Sequence, residues 1–233
     1  MAAATLYGIF RALFILPLKS DKIAYSNFAI SNWSNSLLNA CDAKLHVSGR
    51  ENLETNKAYL FMSNHESMMD IPVVFAGLPH PIRGISKESL MKIPLFGHAM
   101  KAAGYVPIDR KNREKAIKQL EYAKEKIAEG ISIWISPEGT RSRSGKFGEF
   151  KKGGFHLAVD LEVEIVPVWI DGAYEVVVPD TLAFNIGKDI QLHIGKPLPT
   201  KGLTKENLPE LMKQVREAML GLAHLAQDKP SNN

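Results

Sequence analysis

A chain of 233 residues, 45% hydrophobic and 23% charged, is long enough to bury a sizeable core as one domain and too apolar for intrinsic disorder. The formal net charge of +4 and a pI near 9.0 fit an anionic partner, whether nucleic acid, a phospholipid surface or a phosphorylated substrate, without choosing among them. A single cysteine, Cys41, excludes a disulfide framework and a cysteine-built zinc site. Within a predicted helix it is expected to be a small buried hydrophobe rather than a nucleophile.

The first element, "LYGIFRALFILPLK" from Leu6 to Lys19, is strongly apolar but carries Arg11 and closes at Pro17. It falls short of the roughly 20 residues a spanning helix needs, and it has neither the charge order nor the small-residue site of a signal peptide. A helix lying in the membrane plane, with Arg11 among the headgroups, is the expectation; a terminal helix docked on the core is the alternative. Ile23, Ile30, Leu37 and Cys41 then mark a second helix of weak propensity, needing tertiary or membrane contacts to persist.

Beyond it, strands and helices alternate. "DAKLHVSG" and "AYLFMS" are predicted strands, the second covered on both faces. "IRGIS" is a strand, Leu90 to Ala103 a helical stretch broken around Pro94, and "GYVPI" a strand. From Asn112 to Glu129 one helical face repeats, and Gly130 ends it. "ISIWIS" and "IVPVWID" are buried strands with the helix "GGFHLAVDL" between them; "DIQLHIG" is a late strand and Glu206 to Gln227 a closing helix. The pattern predicts an α/β fold: residues 1–42 as a helical membrane-interface segment, then 43–228 as one domain with a largely parallel, helix-flanked twisted sheet.

Three patches could do chemistry. In "FMSNHESMMD" the apolar run ends as a strand near Ser63, so His65 emerges where open α/β sheets place ligands. Asp70, just before Ile71 and Pro72, is either a helix N-cap or the acid that orients His65. "WISPEGTRSRSGKFGEFKKGGF" leads from a strand through a loop carrying Arg141, Arg143, Lys146, Lys151 and Lys152 into a helix, an arrangement suited to an anion, although single lysines there are ordinary surface cations. Lys87, and Arg110 in "GYVPIDR", follow strands and could grip a phosphate. No phosphate-cradling glycine motif is present.

In order and spacing, "NHESMMD", "GYVPIDR", "SPEGTR" with "FKKGG", and "IVPVW" resemble the blocks of the glycerolipid acyltransferase family, most closely the bacterial 1-acyl-glycerol-3-phosphate type. The resemblance is tight over about residues 58 to 170. Ser136 departs from it, since the family usually has a large apolar residue there.

The resemblance implies transfer of a fatty acyl group from a thioester to the free hydroxyl of a lysophospholipid. His65 would be the general base and Asp70 its orienting acid. Lys87, Arg110 and Arg141 would bind the acceptor's phosphate. Glu138, with Gly139 and Thr140, would orient the arginines or the glycerol, and Val166, Pro167 and Val168 would wall the acyl site. No protein nucleophile or metal is needed, because the acceptor hydroxyl can attack directly with a base to take its proton. The donor is expected to be acyl-CoA or an acyl-carrier protein, with no bound cofactor. The location is expected to be peripheral or monotopic, on the cytoplasmic face of a bacterial inner membrane. Glycerol 3-phosphate or another lysophospholipid as acceptor, a thioester hydrolase, and a non-catalytic membrane or nucleic-acid binder are the alternatives. The last lacks the interleaved aromatics of a strand binder.

Overall fold

The structure, a computed structural model, describes residues 1–108, 113–142, 147–177 and 184–227. Helix α1 (Ala2–Phe10) runs into a π-helical turn at Arg11–Ile15 and a short 3-10 turn at Leu16–Leu18 that carries Pro17. Helix α2 (Lys22–Ala40) returns, its first turn capped by the Asp21 carboxylate accepting from Ala24 N–H. Then follow β1 (Lys44–Ser48), β2 (Leu60–Ser63), α3 (Asp70–Gly77), β3 (Ile82–Lys87), α4 (Phe96–Ala102), β4 (Val106–Ile108), α5 (Arg113–Ala128) and β5 (Ser132–Ile135). The chain continues through α6 (Gly153–Asp160), β6 (Ile165–Asp171), the short α7 (Ala173–Val176), β7 (Asp189–Ile194) and α8 (Leu208–Gln227).

The described strands form one sheet in the order β1-β7-β6-β2-β5-β3-β4. Pairing is parallel throughout except between β6 and β7. Strands β2, β3, β4, β5 and β6 therefore end at one edge, and the loops after them meet there. The centre of the sheet is buried on both faces, as unbroken apolar runs require: Leu60, Phe61, Met62, Ile133, Ile165, Val166 and Val168 are fully buried. One face is covered by α2 and α3, contributing Leu38, Cys41, Val73 and Val74. The other is covered by α6 and α8, contributing Phe155, Leu157, Leu211, Val215 and Met219. Burial of Cys41 pushes its thiol pKa up, which suits a core residue and not a reactive one.

Helix α2 thus shares the domain's core, and a buried cation fastens it. Arg83 of β3 donates to Asn27 Oδ1 at 2.7 Å and to Ser26 Oγ on α2, and to the Ile82 carbonyl at 2.8 Å. It faces no carboxylate in these bonds, and burial pulls its pKa down.

The N-terminal arm corrects one expectation. Arg11 is 7% exposed and does not reach outward. Its guanidinium lies 4.9–5.6 Å from the ring centroids of Tyr7, Tyr25 and Phe28, and Nε donates to the Tyr25 hydroxyl at 3.0 Å. Three aromatic faces and a hydroxyl solvate the cation in place of water. The apolar side chains face outward instead: Leu6, Tyr7, Phe10, Phe14 and Leu18 are 48–82% exposed.

Candidate active site

Ser63 closes β2, and Asn64 locks its end. The Asn64 carboxamide accepts from Ile170 N–H at 2.8 Å and donates to Ile170 C=O at 2.9 Å, joining the ends of β2 and β6. Ser63 Oγ accepts from the Trp134 indole at 2.9 Å, and that ring stands edge-on to His65 with centroids 6.1 Å apart. His65 emerges from this frame.

His65 Nδ1 lies 2.8 Å from Asp70 Oδ2; the His65 side chain is 19% exposed and that of Asp70 2%. The same oxygen accepts from Glu66 N–H at 2.7 Å and Ser67 N–H at 2.9 Å. Asp70 does not cap the helix it begins. It is the first residue of α3, and its carboxylate reaches back to the loop that carries His65. With that oxygen accepting from two backbone N–H groups, Nδ1 meets it as a donor, which assigns the ring proton to Nδ1 and leaves the lone pair on Nε2.

The "SPEGTR" turn is bonded to the same loop. Ser142 N–H donates to the His65 carbonyl at 2.8 Å, and Lys151 N–H to the Pro137 carbonyl at 2.7 Å. Gly139 takes a left-handed φ of +79° as its N–H closes the turn on Ser136, a conformation that favours glycine. Glu138 is buried, with Oε2 accepting from Gly148 N–H at 2.7 Å. Burial pushes its pKa up, opposed by the Gly148 bond and by His65 and Arg216. Glu66 is pushed up too, by burial and then by Asp70, Glu138 and Asp171, against the donating Asn64 amide. Carboxyl groups thus crowd the histidine, and among the described residues Asp70 is the one that bonds its ring.

Arg216, on α8 far along the chain, completes the support. It donates to the Gly148 carbonyl at 2.6 Å and the Phe147 carbonyl at 3.2 Å, with its guanidinium 4.8 Å from the Phe147 ring centroid and 5.4 Å from that of Phe150. The segment that bonds Glu138 is therefore clamped from the opposite side of the sheet edge. A Cβ at Gly148 would stand 2.8 Å from Glu138 Oε2, so any larger residue there would push that carboxylate aside.

Of the predicted site residues, the structure brings His65, Asp70 and Glu138 together. Lys87 is exposed at the end of β3, at the same edge, and Thr140 and Arg141 are exposed beyond the turn. Arg110, Arg143 and Lys146 lie outside the described residues. Val166, Pro167 and Val168 are buried in β6, paired with Phe61, Met62 and Ser63. Ser136 Oγ is buried without a hydrogen-bond partner, so the small polar residue fills no polar role in this structure. Among the described residues, no group of three His, Cys, Asp or Glu side chains could hold a metal ion. Sequence reasoning missed Asn64, Glu66, Trp134, Gly148 and Arg216. Asn64 directly precedes His65 and could have been weighed as a strand-end lock, whereas Arg216 carries no local signal.

Residues 44–171 match the family model described as Acyltransferase. The chain is 33% identical over 178 residues to the 1-acyl-sn-glycerol-3-phosphate acyltransferase alpha of Homo sapiens, covering 76% of this chain and 62% of that protein. It is 36% identical over 177 residues to the 1-acyl-sn-glycerol-3-phosphate acyltransferase of Saccharomyces cerevisiae, covering 75% and 58%. The match thus spans less than two thirds of either relative. The crystal structure of the 1-acyl-sn-glycerophosphate (LPA) acyltransferase PlsC from Thermotoga maritima is similar with a TM-score of 0.79 at 28% identity, over 99% of this chain and 98% of that one. With more than half its length inside the family match, and His65, Asp70 and Glu138 within it, the chain belongs to the acyltransferase family.

Proposed function

We propose that the chain transfers a fatty acyl group from an acyl thioester to the free hydroxyl of 1-acyl-glycerol-3-phosphate, giving phosphatidic acid and a thiol. The observation that carries this reading is the His65–Asp70 pair at the strand ends, with Nδ1 engaged at 2.8 Å and Nε2 left as a base. The names of the relatives support the acceptor. The acceptor's hydroxyl oxygen attacks the thioester carbonyl while Nε2 takes its proton. The tetrahedral intermediate collapses, the C–S bond breaks, and the imidazolium returns the proton to the leaving thiolate. Buried Asp70 favours the imidazolium during this step, and general-base assistance of this kind contributes roughly 10²–10⁴-fold.

Lys87, Arg110 and Arg141 are assigned to the acceptor's phosphate, Glu138 with Gly139 and Thr140 to orienting its glycerol, and Val166, Pro167 and Val168 to the acyl-facing wall. Coenzyme A or an acyl-carrier protein would present the donor. Among the described residues no helix is long and apolar enough to cross a membrane. The outward apolar side chains of the N-terminal arm support association with one leaflet.

The test is transfer from a radiolabelled palmitoyl thioester to 1-acyl-glycerol-3-phosphate by the wild type and by His65→Ala. Labelled phosphatidic acid from the wild type, with the variant at least a hundredfold slower on the order expected for a lost base, supports the reading. Equal product from both removes His65 from the mechanism. Free fatty acid in place of phosphatidic acid makes the protein a hydrolase.

A further inference from the structure

Between β3 and α4 the chain runs Glu88-Ser89-Leu90-Met91-Lys92-Ile93-Pro94-Leu95, and its apolar residues are on the wrong side for a core. Met91 is 4% exposed and anchors the segment, while Leu90, Ile93 and Leu95 are 37%, 44% and 61% exposed. Leu95 also has φ +59° and ψ −53°, and the Phe96 N–H donates across it to the Pro94 carbonyl at 2.7 Å. That is a γ-turn of the rare, strained positive-φ kind. The turn has little room to relax, because Gly97 N–H bonds the Ile93 carbonyl at 2.8 Å and a Cβ on Gly97 would lie 2.2 Å from the Met91 carbonyl oxygen.

A leucine is a poor choice here on two counts. Glycine would relieve the backbone, and any polar residue would suit the exposure better. Strain held at an exposed apolar residue points to a partner that the side chain enters. The position of the segment identifies the partner's chemistry. Helix α4 packs against α1 and the Arg11–Ile15 turn, whose Phe10 and Phe14 are 48% and 59% exposed. Exposed Lys92 lies in the segment itself and exposed Lys101 in α4, while exposed Lys19 and Lys22 lie where the arm turns into α2. Apolar side chains accompanied by lysines match a bilayer with anionic headgroups.

We infer that Leu90, Ile93 and Leu95 form a second bilayer contact, separate in sequence from the N-terminal arm, that seats the edge carrying Lys87 at the headgroup layer. This rests on the acyl-transfer reading above. It adds that Lys87, which ends β3 directly before this segment, lies at the level of the lipid phosphates.

The test measures partitioning onto vesicles of phosphatidylcholine and phosphatidylglycerol in equal parts, for the wild type, Leu95→Gly and the pair Leu90→Ser with Ile93→Ser. Each large apolar side chain lost is expected to weaken partitioning about tenfold. Leu95→Gly should do so with a melting temperature equal to or above that of the wild type, because the strain is gone. Transfer to a short-chain acceptor that is monomeric in water should be retained by all three proteins. Unchanged partitioning overturns the inference. So does weakened partitioning in variants that also abolish a concentration-dependent dimer of the wild type, since the occupant is then a second copy. Loss of short-chain transfer by the wild type itself would count against the acyl-transfer reading and not against the contact.

A second readout is independent of stability. Cys41 is the sole cysteine and is buried, so Ile93→Cys accepts a single fluorescent label. Quenching of that label by lipids brominated on their acyl chains supports insertion, and an unquenched label on vesicle-bound protein excludes it.

Discussion

The sheet edge and the apolar arm with its neighbouring loop are opposites in what they leave unmatched. At the edge, buried polar groups hold one another, Ser136 Oγ excepted: Asp70 Oδ2 meets His65 and two backbone N–H groups, Asn64 bridges two strands, and Glu138 is fixed by Gly148. On the apolar side, large side chains are exposed and Leu95 is strained. The edge has its own partners within the chain and is preorganised; the apolar face, among the described residues, leaves large side chains exposed to solvent. Charge chemistry needs geometry settled before substrate arrives, because low-dielectric hydrogen bonds are lost steeply with misplacement. Apolar association needs only area and water to displace.

The strongest way to break this contrast is at Asp70. Asp70→Asn preserves size but exchanges an ionised acceptor for a neutral amide, so it removes the reason for the imidazole proton to sit on Nδ1. The expected loss is about 10³–10⁴-fold in kcat, as for other oriented histidines, with vesicle partitioning unchanged. A kcat within tenfold of the wild type would mean that the pair is structural.

Asn64→Ala tests whether the edge is held by its strand lock. It leaves the N–H and C=O of Ile170 without their side-chain partner. The expected cost is about 3 kcal/mol in a denaturant titration. A cost near zero would show that the β2 and β6 ends hold without the bridge.

Arg216 sharpens the picture by acting through others. Arg216→Ala releases the Phe147 and Gly148 carbonyls and, through Gly148, the Glu138 carboxylate. An order-of-magnitude fall in kcat is expected, equal to about 1.4 kcal/mol. Arg216→Lys should recover only part of it, because an ammonium lacks the planar fork that meets both carbonyls. If the melting temperature falls while kcat at lower temperature does not, the clamp stabilises without positioning.

The smallest effect is at Glu66, whose carboxyl pKa is raised by burial and then by its acidic neighbours. A raised acid binds its proton more readily folded than unfolded, so its ionised form destabilises above the folded pKa, and the penalty fades as pH falls towards the ordinary value of 4.5. Glu66→Gln should therefore raise the melting temperature at neutral pH and match the wild type near pH 4.5. An equal difference at both pH values would exclude the ionisation.

The predicted elements are nearly all present because their signals are local. Apolar runs such as "AYLFMS" and "IVPVWI" become central strands covered on both faces, and Gly130 ends the helix where the repeat stops. The His65–Asp70 pair was legible for the same reason, since a loop and a helix start five residues apart can close on each other. Which of its two roles Asp70 takes was left open by spacing alone: the N-cap and the orienting acid share a sequence position and differ only in the direction the side chain takes.

The sequence by itself determined the alternation of strands and helices, the edge at which the motifs gather, and the residues able to exchange a proton, because these follow from periodicity, turn chemistry and short spacing. Tertiary structure alone decided that Arg11 turns inward onto three rings, that Arg216 crosses from α8 to hold Gly148, and that Leu95 is strained and exposed. Those outcomes depend on which distant surfaces meet, and a side chain's partner 68 residues away leaves no trace in the residues beside it.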